Sequence, residues 1–590
     1  MRRIAILLLA FALASPAAFA RTKARKKPAK RMTPVTGGAS LEELNAMTAR
    51  LAPTELKVDV SSLSAGDQKA LAKLIEASRI LNDIFLTQMW SGNHAEYDEL
   101  KLDHSALGQA RLKYFWINKS PWSDLDDYKA FLAGVPERKP LGANFYPPQM
   151  TKEQFEAWVA KLPDPQKAKA TGFYWTIREN GQGAYIAVPY SAEYKSDLEQ
   201  AARLLNEAAN LTDNASLKKF LTSRAQAFLS NDYYQSDVDW MDLDSPLDIT
   251  IGPYEVYNDE LFGYKAAFES YVNIRDQQES QKLAFLAGKL QEIENNLPED
   301  EQYRNPKLGA AAPIVVVNEV FAAGDGDHGV KTAAYNLPND DRVIAQKGSK
   351  RVMLKNVQEA KFKSTLEPIA AIALPREAQT DVSFDAFFTH IVAHELTHGI
   401  GPHEIKVNGR DTSPRLELKD EFSAIEEAKA DVTGLFALQY LFDHGELMGL
   451  ADNKDQAERR LYTTYLASAF RTLRFGITEA HGKGQAMQFN YLLDKGGFVH
   501  DADGTFSVDF SKIKDAVRDL DHDLLTAEAS GDYDATKKLL DTASIRPETQ
   551  KTIDLMKNIP VDIDPVFVTA NQVAPEKAAA PHTRRARRSR

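Results

Sequence analysis

The residues best suited to chemistry are His394, Glu395 and His398, which form an H-E-x-x-H motif within residues 381–401. Apolar residues before the motif recur at helical spacing, and no Gly or Pro interrupts the run before Gly399. Side chains four apart on a helix lie one turn above each other, so the two histidines can bind one ion. With Glu395 as a base acting on water and one open ligand position, this is the arrangement that a zinc hydrolase requires. The alternative is a helix with two surface histidines, because the pentapeptide also occurs without metal.

A third protein ligand distinguishes the possible classes of zinc site. One candidate follows the motif directly, because HELTHGIGPHE approaches the metzincin pattern H-E-x-x-H-x-x-G-x-x-H. Gly401 fits that pattern, but the position of the third histidine is occupied by Glu404. His403 comes one residue early, and a shift of one residue re-aims a side chain in a tight turn.

The other candidate is the segment EEAKAD, residues 426–431, on the next predicted helix. Glu427 would complete a zinc site made of two histidines and one glutamate. Asp431 lies one turn further on the same face and would accept the remaining ring N–H of a zinc-bound histidine. Glu426 is a second carboxylate available for such a contact. The alternative for this segment is the solvated face of an amphipathic helix.

Taken together, the two motifs resemble those of the dipeptidyl peptidase III family of zinc exopeptidases. EEAKAD agrees with the family's second motif, E-E-x-R/K-A-E/D, at every specified position. The family's first motif usually has one more residue between the histidines, so the pentapeptide HELTH is a departure. The resemblance implies one zinc ion per chain, bound by His394, His398 and Glu427, with Glu395 as the general base.

Three further segments resemble the family and imply roles for their residues. In IGPYEVYNDELFGYKAAFESYV, Glu255 would hold the amino terminus of the substrate and Tyr257 would donate to the scissile carbonyl oxygen. In YNLPNDD, Asn336 and Asn339 would also bind the N-terminal end of the peptide. In AHGKGQAMQFNYLLDKGG, His481 would stabilise the transition state.

Ordinary structural roles remain open for several of these residues. Glu255 and Tyr257 are two apart and would face the same side of a strand, where they could be cross-strand neighbours only. His481 could be a helix-cap histidine, and the family's arginine four residues later is Gln485 in this chain. His390, one turn before the motif, is predicted to support the metal ligands or to pack beside them.

Length and composition indicate a large globular protein with more than one lobe. The chain has 590 residues, of which 43% are hydrophobic and 26% charged, and its net charge of −11 gives no sign of nucleic-acid binding. Because cysteine is absent, any metal must be bound by His, Asp and Glu. A basic start, an apolar run and an Ala-Phe-Ala site predict a signal peptide at residues 1–20. We therefore expect an exported protein, periplasmic or secreted, with no membrane span in its mature form.

The predicted fold class is α+β and predominantly helical. By resemblance, two lobes surround a wide cleft, a helical zinc lobe and a mixed lobe with a small β-barrel. Residue patterns predict a hairpin at 172–189, strands within 248–272, a loop at 335–341, one long helix at 416–445 and a last strand at 566–569. The predicted divisions are a signal peptide (1–20), a basic disordered linker (21–39), the mixed lobe with helices and β-barrel strands (40–274), the first part of the helical zinc lobe (275–318), a return to the mixed lobe (319–365), the catalytic helical zinc lobe (366–558), a final strand of the mixed lobe (559–573) and a disordered basic tail (574–590).

The predicted function is a zinc-dependent exopeptidase that hydrolyses peptide bonds near the N-terminus of short peptides and releases dipeptides. Its partners would be short peptides with a free N-terminus, and the sequence does not indicate an oligomeric state. One alternative is a zincin endopeptidase, which would also cleave N-blocked peptides. Another is a catalytically weak peptide-binding protein on the same scaffold.

Overall fold

The computed structural model describes residues 37–148, 150–309 and 313–575. The predicted signal peptide, most of the basic linker and nearly all of the basic tail lie outside the described residues. In the part of the chain that the structure describes, no helix is long and apolar enough to cross a membrane.

Helices make up most of the described chain. They are α1 (Leu41–Ala49), α2 (Ala65–Met89), α3 (Asn93–Leu100), α4 (Ala106–Asn118), α5 (Lys152–Val159), α6 (Asp164–Thr171), α7 (Tyr190–Glu193), α8 (Lys195–Leu211), α9 (Ala215–Ser230), α10 (Tyr234–Met241), α11 (Gln277–Glu294), α12 (Asp341–Lys347), α13 (Lys355–Lys361), α14 (Glu367–Ala373), α15 (Phe384–Thr397), α16 (Pro414–Leu418), α17 (Phe422–Asp443), α18 (Lys454–Leu473), α19 (Ala480–Asp494), α20 (Ile513–Ser530), α21 (Tyr533–Leu540), α22 (Pro547–Leu555) and α23 (Val568–Val573).

The strands form one larger sheet and several two-stranded ribbons. They are β1 (Leu51–Leu56), β2 (Trp175–Glu179), β3 (Tyr185–Pro189), β4 (Leu247–Glu255), β5 (Ala267–Arg275), β6 (Ile314–Gly324), β7 (Ala334–Leu337), β8 (Lys350–Leu354), β9 (Ile405–Val407), β10 (Arg410–Thr412), β11 (Phe498–His500), β12 (Phe506–Val508) and β13 (Asp562–Phe567).

The larger sheet has the strand order β4-β5-β6-β8-β7 and curls into a half-barrel. Its pairs are antiparallel except for β6 with β8. Alternate residues point to opposite faces of a strand. On β8, Val352 packs into a core formed with α2, α8 and α9, whereas Met353 packs into a core formed by α11, α14, α15 and α17–α20. The sheet therefore separates a mixed lobe from a helical lobe, and the predicted α+β fold class with two lobes is confirmed.

The predicted hairpin is confirmed as β2 and β3, but two strand predictions were wrong. Strand β4 ends at Glu255, and Tyr257 begins a 3-10 turn because its N–H donates to Glu255 Oε1 at 2.9 Å. The two side chains therefore do not share a strand face. The last strand begins at Asp562 rather than Val566, because it pairs in parallel with the distant strand β1.

Two further local predictions also needed correction. The helix predicted over residues 416–445 is interrupted at Lys419, whose φ of +52° lies in the left-handed region, so α16 and α17 are separate. The segment 335–341 is a loop only in its second half. Residues 335–337 belong to strand β7, which pairs with β8.

Candidate active site

Helix α15 carries the H-E-x-x-H motif at its C-terminal end. The helix begins where the Ser383 hydroxyl accepts a hydrogen bond from the Ala386 N–H, and its apolar residues pack into the helical core. His394 and Glu395 lie in its last turn, and His398 is its C-cap residue. The helix therefore ends where the motif needs open space for a ligand.

The two histidines of the motif face a common point. Their Nε2 atoms are 3.1 Å apart, and the rings are nearly perpendicular. Glu427 on α17 places its Oε2 atom 3.4 Å from His394 Nε2 and 3.8 Å from His398 Nε2. Although burial opposes its ionisation, the nearby His394 and His481 rings hold the pKa of Glu427 well below its ordinary value.

Two carboxylates of the EEAKAD segment orient the imidazole rings. Asp431 Oδ1 lies 2.8 Å from His394 Nδ1, and Glu426 Oε1 lies 2.6 Å from His398 Nδ1. Each Nδ1 therefore donates a hydrogen bond to a carboxylate, which leaves each Nε2 as the atom that can bind a metal. Burial disfavours the charged form of His394, but Asp431 raises the pKa of this ring to about 10, so a proton occupies Nε2 unless a metal displaces it.

These atoms form a donor set that fits a divalent metal. Two Nε2 lone pairs only 3.1 Å apart repel each other unless a cation or a proton lies between them. Glu427 Oε2 is buried beside them and has no hydrogen bond of good geometry, which makes it an orphaned acceptor. A tetrahedral ion with bonds of about 2.0–2.1 Å spaces two nitrogens roughly 3.3 Å apart, close to the observed separation. His394, His398 and Glu427 can therefore hold such an ion, and we call these three residues the metal-ligand cluster.

Close helix packing brings a further histidine to this cluster. His481 lies in the first turn of α19, and its Nε2 is 3.1 Å from Glu427 Oε2. Gly484 allows α19 to approach α17, because a Cβ there would lie 2.8 Å from the Ala424 carbonyl oxygen. The His481 side chain is 65% exposed, so it remains accessible to a ligand at the rim.

Two residues that support the cluster were missed in the sequence analysis. Lys429 is fully buried, and its Nζ lies 3.0 Å from Glu426 Oε1 while also donating to the Thr397 carbonyl. Gly434 allows α17 to contact α15, because a Cβ there would lie 3.2 Å from the His394 backbone nitrogen. A signal existed for both, since Lys429 lies inside the EEAKAD motif and Gly434 is an isolated glycine within a helix.

Glu395 faces the mixed lobe across a cavity of about 250 Å³. Its carboxylate forms an ion pair with the Arg351 guanidinium. Arg351 reaches the helical lobe because it lies on β8 two residues before Met353, which faces the same lobe. No motif in the sequence pointed to Arg351.

The predicted substrate-binding residues lie on the mixed lobe, away from the metal-ligand cluster. Tyr257 is 69% exposed and does not line the cavity beside Glu395. Asn336 is an exposed residue of β7, paired with Arg351 on β8. Asn339 donates to the Tyr254 carbonyl at 2.7 Å.

Glu255 belongs to a group of three carboxylates that we call the acidic triad. One carboxylate oxygen from each of Glu255, Glu269 and Asp325 lies within 4.8 Å of the other two. Burial and the charge of Asp325 raise the pKa of Glu255 to about 7. A cation placed here would relieve the repulsion between the carboxylates.

The structure does not bring the metzincin candidates to the metal-ligand cluster. His403 and Glu404 are exposed in the turn after α15, and neither belongs to the metal-binding groups found in the described residues. His390 is buried and its Nε2 contacts the Asp431 carbonyl oxygen at 2.9 Å. Gln485 lines the cavity, but its amide donates to the Tyr465 hydroxyl.

Comparisons with known proteins show which family the chain resembles. Residues 147–405 match the family model described as "Peptidase family M49". Nudix hydrolase 3 from Arabidopsis thaliana is 44% identical over 574 residues, which cover 88% of this chain and 73% of that protein.

Two solved structures are similar over nearly their whole lengths. Dipeptidyl-peptidase III from Corallococcus sp. strain EGB is 52% identical, with a TM-score of 0.72, and the match covers 91% of this chain and 99% of that one. DPP III from Caldithrix abyssi is 46% identical, with a TM-score of 0.84, and the match covers 90% and 100%. The chain therefore belongs to peptidase family M49, the dipeptidyl-peptidase III family of metallopeptidases.

Proposed function

We propose that this metallopeptidase is a zinc-dependent dipeptidyl-peptidase that acts on short peptides with a free amino terminus. The observation that carries the proposal is the position of strand β7 between two charged centres. At Asn336 the strand is paired with Arg351, which contacts Glu395, and in the loop after it Asn339 donates to the carbonyl of Tyr254, the residue before Glu255 of the acidic triad. Among the described strands, β7 lies at the edge of its sheet, so its free edge can bind an extended peptide.

His394, His398 and Glu427 would hold the zinc ion. When bound, zinc lowers the pKa of water and polarises the scissile carbonyl group. Glu395 takes the proton from the attacking water and passes it to the leaving amine. Arg351 orients the Glu395 carboxylate from the opposite lobe.

The developing oxyanion needs hydrogen-bond donors. His481 lies at the rim of the cluster, with its Nε2 3.1 Å from Glu427 Oε2, and would donate to the oxyanion from there. Tyr257 would reach the reacting carbonyl when the cleft narrows on the substrate. A donor of this kind contributes on the order of 3 kcal/mol to transition-state stabilisation.

The acidic triad explains why a free amino terminus would be required. Glu255 and its two partners would bind the substrate ammonium, with Asn336 and Asn339 contacting the adjacent backbone. An internal peptide segment or an acetylated terminus would leave these carboxylates buried without a counter-charge. Leaving a buried charged group unpaired is costly, so such substrates are disfavoured.

The test is mass spectrometry of a hexapeptide and its N-acetylated form, incubated with the purified protein with and without a chelator. We expect loss of an N-terminal dipeptide from the free peptide only, and no cleavage with chelator or in Glu395→Gln. Cleavage of both peptides would contradict the exopeptidase proposal and support an endopeptidase. Zinc binding without cleavage of either peptide would support a peptide-binding protein.

We further propose that the protein is exported and processed after residue 20. The support is the sequence pattern of residues 1–20, with its basic start, apolar run and small residues at the cleavage site. Sequencing of the amino terminus of the protein purified from its native host tests the proposal. A mature chain that begins at Arg21 would support it, and an intact Met1 would contradict it.

A further inference from the structure

Two neighbouring cavities lie on one side of the metal-ligand cluster. The cavity next to Glu395 and a second one of about 270 Å³ share two lining residues, Lys361 and Arg471. The second cavity lies between α18 and the segment at Val561 and Asp562. A ligand that extends from Glu395 in this direction therefore passes two cations.

Of these two cations, Arg471 is the one that forms no ion pair with the residues that the structure describes. It points into the cavity from the face of α18 that also presents Tyr465, Ser468 and Thr472. Its guanidinium lies 5.6 Å from the centroid of the Phe387 ring, and its Nε is buried without a hydrogen-bond partner. Within the described residues, no carboxylate lies within salt-bridge distance of Arg471.

The carboxylates closest to Arg471 are engaged elsewhere. Asp562 is paired with Lys361 at 3.0 Å, and Asp431 accepts from His394. Arg474, three residues further along the chain, has a buried Nη1 without a partner and donates from Nη2 to the Pro560 carbonyl. Burial and the charge of Arg471 lower the pKa of Arg474 to about 10. Asp562 and Asp431 still favour the charged form of Arg471 from a distance, but within the described residues neither forms an ion pair with it.

Strand β7 shows on which side of the reacting bond this charge lies. Ala334, at its N-terminal end, lines the cavity together with Arg471. Asn336 is paired with the arginine that contacts Glu395, and Asn339 reaches the strand that carries Glu255. A peptide whose amino terminus lies at Glu255 and whose scissile bond lies at Glu395 therefore runs toward Arg471.

The distance along β7 suits a short peptide. Strand β7 ends at Leu337, and Asn339 lies in the loop after it. Because a strand rises about 3.3 Å per residue, the stretch from Ala334 to Asn339 is no longer than roughly four to six residues of extended peptide. A substrate of that length would place its C-terminal part in the region of Arg471. A planar guanidinium with free donors binds a carboxylate through two parallel hydrogen bonds.

We infer that Arg471 binds a carboxylate on the C-terminal side of the scissile bond, so that peptides with a carboxylate at this point are the preferred substrates. The carboxylate is either the C-terminus of a tetrapeptide or an acidic side chain of a longer peptide. The inference rests on the proposed peptidase function. Arg471 is a substrate-binding residue in this account and takes no part in proton transfer.

The experiment compares kcat/KM for matched pairs of peptides. One pair is tetra-alanine as the free acid and as the C-terminal amide. The second pair is two amidated hexapeptides with glutamate or glutamine as the fourth residue. We expect the wild-type enzyme to favour the carboxylate-bearing member of at least one pair by about tenfold or more, because hydrogen bonds to charged groups are the strong ones. The pair that shows the preference identifies the source of the carboxylate.

Three variants define the role of the guanidinium. Arg471→Gln should reduce the preference to near one, and Arg471→Lys should retain part of it. Arg459→Gln is the matched control, since it removes an exposed arginine from the same helix at its far end and should retain the full preference. A wild-type ratio near one in both pairs would overturn the inference, as would an unchanged ratio in Arg471→Gln.

A binding measurement separates this inference from the proposed function. Calorimetry with the Glu395→Gln variant measures the affinity for tetra-alanine as free acid and as amide without turnover. Tighter binding of the acid that is lost with Arg471→Gln supports the carboxylate site even if no peptide is cleaved by the wild-type enzyme. The same measurement is made with the two amidated hexapeptides that carry glutamate or glutamine as the fourth residue. Equal binding within both pairs overturns the site, even if all four peptides are cleaved.

Discussion

Replacing Asp431 by asparagine tests whether the carboxylates behind the histidines control metal affinity. Asp431 Oδ1 accepts from His394 Nδ1 at 2.8 Å, and its Oδ2 accepts from Gln488 Nε2 at 3.2 Å. Asparagine has one acceptor and one donor in place of two acceptors. In either amide orientation, one N–H of the new side chain therefore faces another donor, and the charge that supports the His394 ring is lost.

The expected loss can be estimated from the role of this contact. Carboxylates that hold metal-binding histidines typically contribute 10- to 100-fold to metal affinity, or about 1.4–2.7 kcal/mol. We expect Asp431→Asn to weaken zinc binding by this amount. The substitution conserves volume, so the free energy of unfolding of the apo protein should change by less, about 1 kcal/mol.

The assay is competition for zinc between the apo protein and a chelator of known affinity, with circular dichroism to follow unfolding of the same samples. The matched control is Asp443→Asn at the far end of α17, where the carboxylate lies remote from the histidines. Zinc affinity unchanged in Asp431→Asn, with the apo protein folded, would refute the assignment of His394 as a ligand held by this carboxylate. An equal loss of zinc affinity in both variants would show that the effect comes from the change in net charge and not from the contact with His394.

Three further predictions test other parts of the site. Glu426→Gln should destabilise the apo protein by about 1–3 kcal/mol, because it removes the ion-pair partner of the buried Lys429 ammonium while Glu528 and Asp521 remain near it; chemical denaturation measures this, and an unchanged free energy of unfolding would contradict it. Gly434→Ala should lower kcat/KM, because the new Cβ displaces His394. The free energy of unfolding should change by no more than about 2 kcal/mol, because the better helix propensity of alanine offsets part of the steric cost. An unchanged kcat/KM would show that α17 can move away from α15 without displacing His394. For peptides with a free amine, kcat/KM should rise as the pH passes about 7, because Glu255 ionises, and it should fall above about 8, because the peptide ammonium deprotonates. If the rise near pH 7 persists in Glu255→Gln, another group is responsible for it.

Much of the metal-ligand cluster could be predicted from local sequence. The H-E-x-x-H and EEAKAD segments each place their polar groups at helical spacing, and both segments are helical in the structure. The strand that carries Glu255 was also predictable, because β-branched and aromatic residues recur along it in alternation. Its end was not, since the backbone turns where the Tyr257 N–H bonds to the Glu255 side chain.

Other features had no local signal in the sequence. Arg351 lies 44 residues before Glu395 and reaches it only because β7, β8 and β6 pair in a particular register. The last strand was misplaced because its limits are set by pairing with β1, about 500 residues earlier in the chain. The acidic triad joins two strands and the turn after a third, which no single motif describes.

The sequence by itself determined which side chains can act together within one helix. Residues at positions i and i+4 share a helix face whatever the helix packs against, so His394 with His398, and Glu427 with Asp431, follow from spacing alone. Only the tertiary structure decided that Asp431 meets His394, that Glu426 meets His398, and that Arg471 forms no ion pair with any carboxylate of the described residues. These contacts depend on how helices cross and how strands are registered, and local periodicity contains neither kind of information.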